Sequence, residues 1–541
     1  MNNLMKISTV LLIILITDSI NGQVNQEWAA RYNGQGNGND EASSIAVDNN
    51  GNSYVTGKSF NSGSDFDYLT IKYNSSGMAL WERRHNGSGN GSDGASSVLV
   101  DNSGNVYVTG NSSVSGSGQD IVTIKYNAVG DQLWLKIYNG SDNGSDIANA
   151  MAIDAAGNVY VTGSAGNFSL DYVTIKYNSA GVVQFTSIYN GPGNSNDVPV
   201  SLALDQAGNI FITGKSSGGA SGADIVTIKY NSTGGQEWLR RYNGSSNLDD
   251  EGVSIAVSDL GNVYVSGTST GAGTSKDFVT IKYNSVGDSL LTRLYNSSGN
   301  GEDVVYAMKI DSDENIIVTG STYSNATGFD YTTLKYRSSG DFVWLKNYNG
   351  VDNDRDVATQ LVLNESGEAY VTGFSTADGN LNYATIKYDT SGIEKWVKIY
   401  NAAGNDAAFS IALDLLNNVY VTGLSYGGAL TNYDYATVKY SLITGLQNVS
   451  TGVPSSFTLF QNFPNPFNPT TNIKFNIPKS GLVKLVVSDI TGRQISELVN
   501  SVMESGTYEY YFNAENLSSG IYFYRLETAG YIDTKKMTVV K

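Results

Sequence analysis

The phrase Gly-Asn-Val-Tyr-Val-Thr-Gly at 104–110 recurs in close versions that end at Gly57, Gly163, Gly214, Gly267, Gly320, Gly373 and Gly423. A short β-like phrase spelled eight times, at a spacing of about 53 residues, makes the chain a repeat architecture. Other positions keep the same step. Asp40, Asp93, Asp146, Asp197, Asp250, Asp303, Asp356 and Asp406 precede the phrase in each copy. Trp28, Trp81, Trp134, Trp238, Trp344 and Trp396 share one position, with Phe185 and Leu291 in the other two copies. A Thr-Ile-Lys-Tyr type segment ends at Tyr73 and at seven counterparts, the last being Tyr440.

Each unit contains four short apolar or alternating runs, at 97–100, 105–110, 120–127 and 132–140 in one copy. Asp101-Asn102-Ser103-Gly104 forms a tight turn between the first two, in which Asp can bond the backbone and Gly can take positive φ. Two longer connections follow the phrase and the Tyr-Asn-Gly run, as at 111–119 and 141–145. A four-stranded antiparallel sheet has two apolar faces and must stack to bury them; radial stacking is the β-propeller. Ala46, Ala152, Ala203, Ala256 and Ala412 suit the crowding of an innermost strand. The chain opens on the Trp28 strand and the repeats stop at Tyr440 without another, so the N-terminal strand is expected to complete the last sheet. The expected fold is all-β: an eight-bladed β-propeller of four-stranded blades over 23–440, closed by that strand. A linear solenoid would carry distinct capping repeats, and none is present.

Composition bounds the chemistry. With no Cys and a single His, thiol nucleophiles and His-rich metal sites are excluded. A net charge of −18 argues against nucleic acid as a partner. Much of that charge is repeated architecture: the first Asp set, a second (Asp67, Asp120, Asp171, Asp224, Asp277, Asp330, Asp434, with Asn382 in one copy) and a third that opens the tight turn (Asp48, Asp101, Asp154, Asp205, Asp311, Asp414). One Lys per unit, from Lys72 to Lys439, is expected to face them in a repeated internal ion pair. Residues 1–22 read as a signal peptide: Lys6, an apolar stretch at 7–16, then a cut before Gln23. That stretch is too short to span a bilayer, and no later one is long enough.

Two loops place oxygen ligands at alternate positions, as calcium sites do: Asp311, Asp313 and Asn315, and Asp352, Asp354 and Asp356. Neither has the following Gly or the placed Glu of an EF-hand, so the calcium signal is weak and the plainer reading is an Asx-turn loop. No other cofactor is expected. His85 stands where most copies have Tyr and fits a packed replacement better than a base. Glu251, Glu302 and Glu365 break the repeat and would be the carboxylates of a glycoside hydrolase or lyase, but nothing in the sequence pairs them. Lys309 breaks it too, replacing a small residue near the axis. The longer connections should share one face, built of segments such as 58–66, 321–329 and 424–433. Their Ser, Gly, Asn and aromatic residues suit recognition of a glycan or protein by a non-catalytic binding or adhesion module, expected to be monomeric. The alternatives are a structural surface protein, stabilised by calcium or not, and a propeller hydrolase.

The core of these units, Ile-Ala-Val-Asp followed by Gly-Asn-Val-Tyr-Val-Thr-Gly, resembles the Gly-rich bacterial β-propeller repeat family, the SBBP type, over about 24–440. That family's name implies seven blades, whereas eight copies stand here. After a linker expected at 441–456, five of the seven Pro lie between Pro454 and Pro478, and alternating runs at 482–490, 507–513, 521–527 and 535–541 suggest a small Ig-like β-sandwich over 457–541. Its "NFPNPFNPTT", "DITGR", "SGTY" and "LSSGIYFYRL" stretches resemble the C-terminal sorting domain of the type IX secretion system, found in Bacteroidetes and related bacteria. The resemblance implies export through the periplasm, recognition by an outer-membrane translocon and removal by a sorting protease. The passenger then stays on surface lipopolysaccharide or is released. Gly492, Gly506, Gly520 and Lys536 are the motif positions it assigns to recognition.

Overall fold

In a computed structural model, residues 24–219, 221–402, 404–442, 446–450, 452–514 and 517–541 are described; the expected signal peptide lies outside them. The chain forms two units, Gln26–Ser441 and a second made chiefly of Leu442–Lys541.

Among the described residues of the first unit, the repeats form eight four-stranded antiparallel sheets. The first comprises Asp40–Val47, Ser53–Asn61, Asp65–Tyr73 and Ala79–His85, in chain order. The third comprises Ile147–Ile153, Val159–Ala165, Asp171–Tyr177 and Val183–Tyr189. In the eighth, Val24–Tyr32 pairs with Asn432–Leu442, beside Val419–Gly428 and Asp406–Leu413. The N-terminal strand thus occupies the outer place that the C-terminal end of the repeats leaves empty.

The phrase is the second strand of each sheet. Gly104 takes φ +76°, closing the turn from Asp101. At Gly110 the cause is contact: a methyl would run into the carbonyl of Gly94 and the hydroxyl of Tyr68 from the preceding sheet. This strand does not stop at Gly110. It continues to Val114 and pairs with Gly118–Tyr126, so 111–119 is a hairpin with a three-residue turn and not an open loop. The segments 58–66, 321–329 and 424–433 are likewise mostly paired strand.

Apolar burial lies between the sheets. Tyr54 and Tyr68 of the first sheet pack with Val98, Val106, Val108 and Val122 of the second. Tyr420 and Tyr435 of the eighth pack with Val55, Leu69 and Ile71 of the first, so the stack returns to its start. Polar contacts repeat at the same junctions. Trp81 Nε1 donates to Ala128 O of the next sheet at 3.3 Å, and Trp28 Nε1 from the eighth sheet to Ser75 O of the first at 3.0 Å.

The second unit has two four-stranded sheets, as a sandwich should. Its extent corrects the expected boundary. Leu446–Ser450, in the stretch read as linker, is a strand paired with Gly506–Asn513.

Candidate binding site

The repeated carboxylates divide by what they hold. Asp93 is buried and accepts Gly87 N–H at 2.6 Å and Ser113 N–H at 2.5 Å, stapling two connections together. Burial raises its pKa, although these hydrogen bonds oppose the rise. Asp101 serves the tight turn, where its Oδ1 takes Ser103 and Asn105 N–H, and its Oδ2 takes Asn105 Nδ2 and Tyr107 OH. Desolvation opposes ionisation there, but the four hydrogen bonds hold its pKa below the usual value.

The expected Asp–Lys pair is not general. Lys125 lies 4.9 Å above the Tyr107 ring and donates to Ser179 O of the next sheet at 3.3 Å. Among the described residues Lys335 alone of this series pairs with a member of the three Asp sets, reaching Asp311 at 3.0 Å, while Lys229, Lys282, Lys387 and Lys439 pair with Glu237, Glu314, Glu368 and Glu27. In that sheet Ile317 replaces the Tyr, so the ammonium has no ring beneath it.

The residues singled out in the sequence are dispersed. Asp311 spends its oxygens on Asp313 N–H, Asn315 N–H, Asn315 Nδ2 and Lys335, an ordinary tight turn with an added ion pair. Asp352 accepts Gly379 N–H, and Asp356 accepts Gly350 and Thr376 N–H, while Asp354 is exposed. Among the described residues no group of three or more acidic or His side chains is arranged to hold a metal. His85 packs edge-on against Tyr68 and sits 3.3 Å from Ser112 Oγ, and burial lowers its pKa. Glu251 pairs with Lys215 at 3.2 Å and Glu302 with Lys276 at 2.7 Å, while Glu365 lies apart on the tight-turn side, beside Asp48 and Asp414. Lys309 stands on the inner strand Val304–Ile310, where it is exposed, and desolvation by the protein around it lowers its pKa.

A different place concentrates unused chemistry. In the second Asp set, every Asp but one has a Ser or Thr three residues before it, and some have an Arg on the outer strand as well. Ser117 donates to Asp120 at 2.7 Å; Arg241 reaches Asp224 at 2.8 Å and Arg31 reaches Asp434 at 2.9 Å. Asp171 has neither. Phe168 replaces the Ser or Thr, Ile188 replaces the Arg, and Ala165 replaces the Ser that faces the Asp across the hairpin in most copies. Its Oδ1 is buried without a hydrogen-bond partner, as in Asp120, Asp277, Asp330 and Asp434, but here no side chain bonds the other oxygen either. Burial, then the neighbouring Asp197 and Asp142, raise its pKa.

These replacements leave a cleft of about 220 Å³, lined by Tyr138, Asp142, Ala165, Phe168, Asp171 and Ile188 among others. Phe168 is 98% exposed and Ile188 62%. An open aromatic face beside two carboxylates and a phenol can hold a polar ligand by hydrogen bonds and ring contact at once. Sequence reading grouped Asp171 with its siblings. The detectable signal was the joint loss of Ser and Arg in one copy.

In the second unit, Gly492 takes φ +81° in a turn closed by Asp489, and Gly506 and Gly520 each open a strand. Lys536 lies on the last strand, and its carbonyl accepts Gln461 Nε2 and Asn465 Nδ2.

No curated protein sequence matches this chain. Similar solved structures include Sqt1 from Chaetomium thermophilum, 9% identical, with a TM-score of 0.49, covering 76% of this chain and 99% of that one. An ulvan lyase of polysaccharide lyase family PL25 is 12% identical, with a TM-score of 0.38 over 67% of this chain and 92% of that one. An α-L-arabinofuranosidase from Fusarium graminearum is 9% identical, with a TM-score of 0.35 over 63% and 91%. None of them carries an activity to this chain. The Beta-propeller repeat family matches residues 27–63 and 237–273, and the Secretion system C-terminal sorting domain matches residues 461–541. The chain therefore carries β-propeller repeats and a C-terminal sorting domain that marks it for export to the cell surface or the extracellular space.

Proposed function

We propose that the exported protein is a non-catalytic binding module, that its eight repeat sheets are the blades of one closed propeller, and that the cleft on the third sheet receives its ligand, a glycan or a protein. The observation that carries this reading is Asp171, whose two kinds of internal partner are both replaced, beside the exposed ring of Phe168. A scaffold selected for stability alone gains nothing from a carboxylate that no side chain bonds at either oxygen, whereas a site does. The hydrolase reading has less support, because Glu251 and Glu302 are each engaged by a Lys and Glu365 stands apart.

The test is a screen of the exported protein against glycan and surface-protein arrays, with and without calcium, repeated on Phe168→Ala. The reading expects a ligand whose capture falls at least about tenfold in the variant. Absence of any ligand, with a large calcium-dependent rise in melting temperature, would favour a structural protein. Cleavage of an arrayed glycan would favour the hydrolase.

A further inference from the structure

The repeat itself shows what the cleft lacks. In the fourth sheet the same place is filled from within: Arg241 donates to Asp224 at 2.8 Å, to Ser216 O at 2.9 Å and to Tyr189 OH at 3.0 Å. Arg31 fills it in the eighth sheet, reaching Asp434 at 2.9 Å and Ser425 O at 3.0 Å. Arg84 fills it in the first, bonding Tyr32 OH at 3.1 Å and lying 3.6 Å from Asp67. A carboxylate, a strand carbonyl and the phenol of the preceding sheet thus form a cradle that matches the planar fork of a guanidinium.

In the third sheet the cradle keeps its acceptors and loses its guanidinium. Asp171, Ala165 and Tyr138 hold the equivalent positions, and all three line the cleft. Other sheets also lack the Arg, but there a hydroxyl reaches the second oxygen of the acid and leaves only Oδ1 unpartnered, as Thr274 does for Asp277 at 2.9 Å and Thr327 for Asp330 at 2.7 Å. Only at Asp171, among the described Asp residues of this set, is no side-chain partner supplied. Phe168 stands in the hydroxyl's place, and an exposed ring beside a carboxylate is the usual seat of a stacked cation. Asp142 adds a second negative charge at the rim.

On the reading that this cleft is the ligand site, we propose that it binds a guanidinium supplied from outside, the side chain of an arginine exposed on a partner protein or peptide. The partner's arginine would lie as Arg241 does in its own sheet, with Phe168 covering the planar group.

The test uses the full chain with labelled isoleucine methyl groups, the Ile188 signal being identified by its loss in Ile188→Val. N-acetyl-arginine amide and its neutral isostere N-acetyl-citrulline amide are titrated in parallel, to roughly 20 mM, since a single side chain is a millimolar ligand. The expected result is a saturable shift of the Ile188 methyl with the arginine compound, at least about tenfold weaker with citrulline, and absent in Asp171→Asn. Asp171 has no side-chain partner to lose, so that variant should melt as the parent does; Phe168→Ser gives the same reading if it does not. Equal response to both compounds, or no shift with either, overturns the inference. A ligand captured by the arrays and sensitive to Phe168→Ala, but indifferent to the arginine compound, would leave the binding module standing without its arginine. Loss of both would remove the site.

Discussion

Glu314 stands in the turn where most copies have Gly and holds φ +60°, a strained conformation for a side-chain-bearing residue. What it does there is supply a missing group to its neighbour. The fifth sheet has Ser258 where most copies open the turn with Asp, and Glu314 from the sixth sheet reaches back to Tyr264 OH at 2.8 Å and Asn262 Nδ2 at 3.1 Å. Glu314→Gly relieves the strain but strips the hydrogen bonds from Tyr264 and Asn262 and the ion pair with Lys282, so a net loss of about 1–2 kcal/mol is expected by denaturant titration. Adding Ser258→Asp should restore most of it, and a cycle with no coupling would contradict the exchange. A second residue-scale prediction concerns Asp146. Burial pushes its carboxyl from 3.8 to about 6 in the fold, so the folded chain keeps a proton that the unfolded chain gives up first. Its contribution to stability is therefore fullest below about pH 4 and is lost as the pH rises to about 6. Relative to Asp146→Asn, the parent should lose stability across that window and run parallel to it above; a constant difference would mean that the carboxyl has the same pKa folded and unfolded.

At the scale of the element, the recurring Trp binds one sheet to the next through a turn carbonyl. Trp134 Nε1 donates to Ser179 O at 3.2 Å, whereas Trp396 Nε1 is buried with no partner among the described residues. The cause is topological: the eighth sheet takes its outer strand from the N-terminus, so the turn that would offer the carbonyl is not built. Both Trp→Phe changes remove packing, but Trp134→Phe also removes a hydrogen bond and should destabilise by about 1 kcal/mol more, read from unfolding midpoints. Strands, their order and the closing N-terminal strand were legible in the sequence because period, turn residues and apolar alternation all repeat together. The strand Leu446–Ser450 was not. It is short and largely polar, and its pairing with Gly506–Asn513 depends on residues about 60 positions away, which no local pattern encodes. The Lys pairing was misread in its partner: opposite charges in the repeat suggested Asp, while Lys125 lies over the phrase's Tyr and bonds the next sheet's carbonyl, and Lys229, Lys282, Lys387 and Lys439 take a Glu outside the repeated Asp sets. The cleft was half legible. Asp171 was noticed as a member of a set, but its meaning lies in the three siblings' partners it has lost.

Across the molecule, repetition separates scaffold from site. Ring closure repeats a contact found at most other junctions, Lys439 donating to Ser75 O at 3.1 Å as Lys125 does to Ser179 O, and adds Tyr420 to Gly51 O at 3.1 Å, joining the eighth sheet to the first. Against such uniformity, a local loss of stabilising partners is the place to look for function. Reverting the third sheet to its siblings' pattern, with Ala165→Ser, Phe168→Ser and Ile188→Arg together, tests that claim most directly, with melting temperature and ligand capture measured on the same protein. Restoring a charged partner to Asp171 should add about 1.5–3 kcal/mol and raise the melting temperature, while filling the cleft abolishes capture. A reverted protein that melts no higher, or that binds as before, would contradict the account.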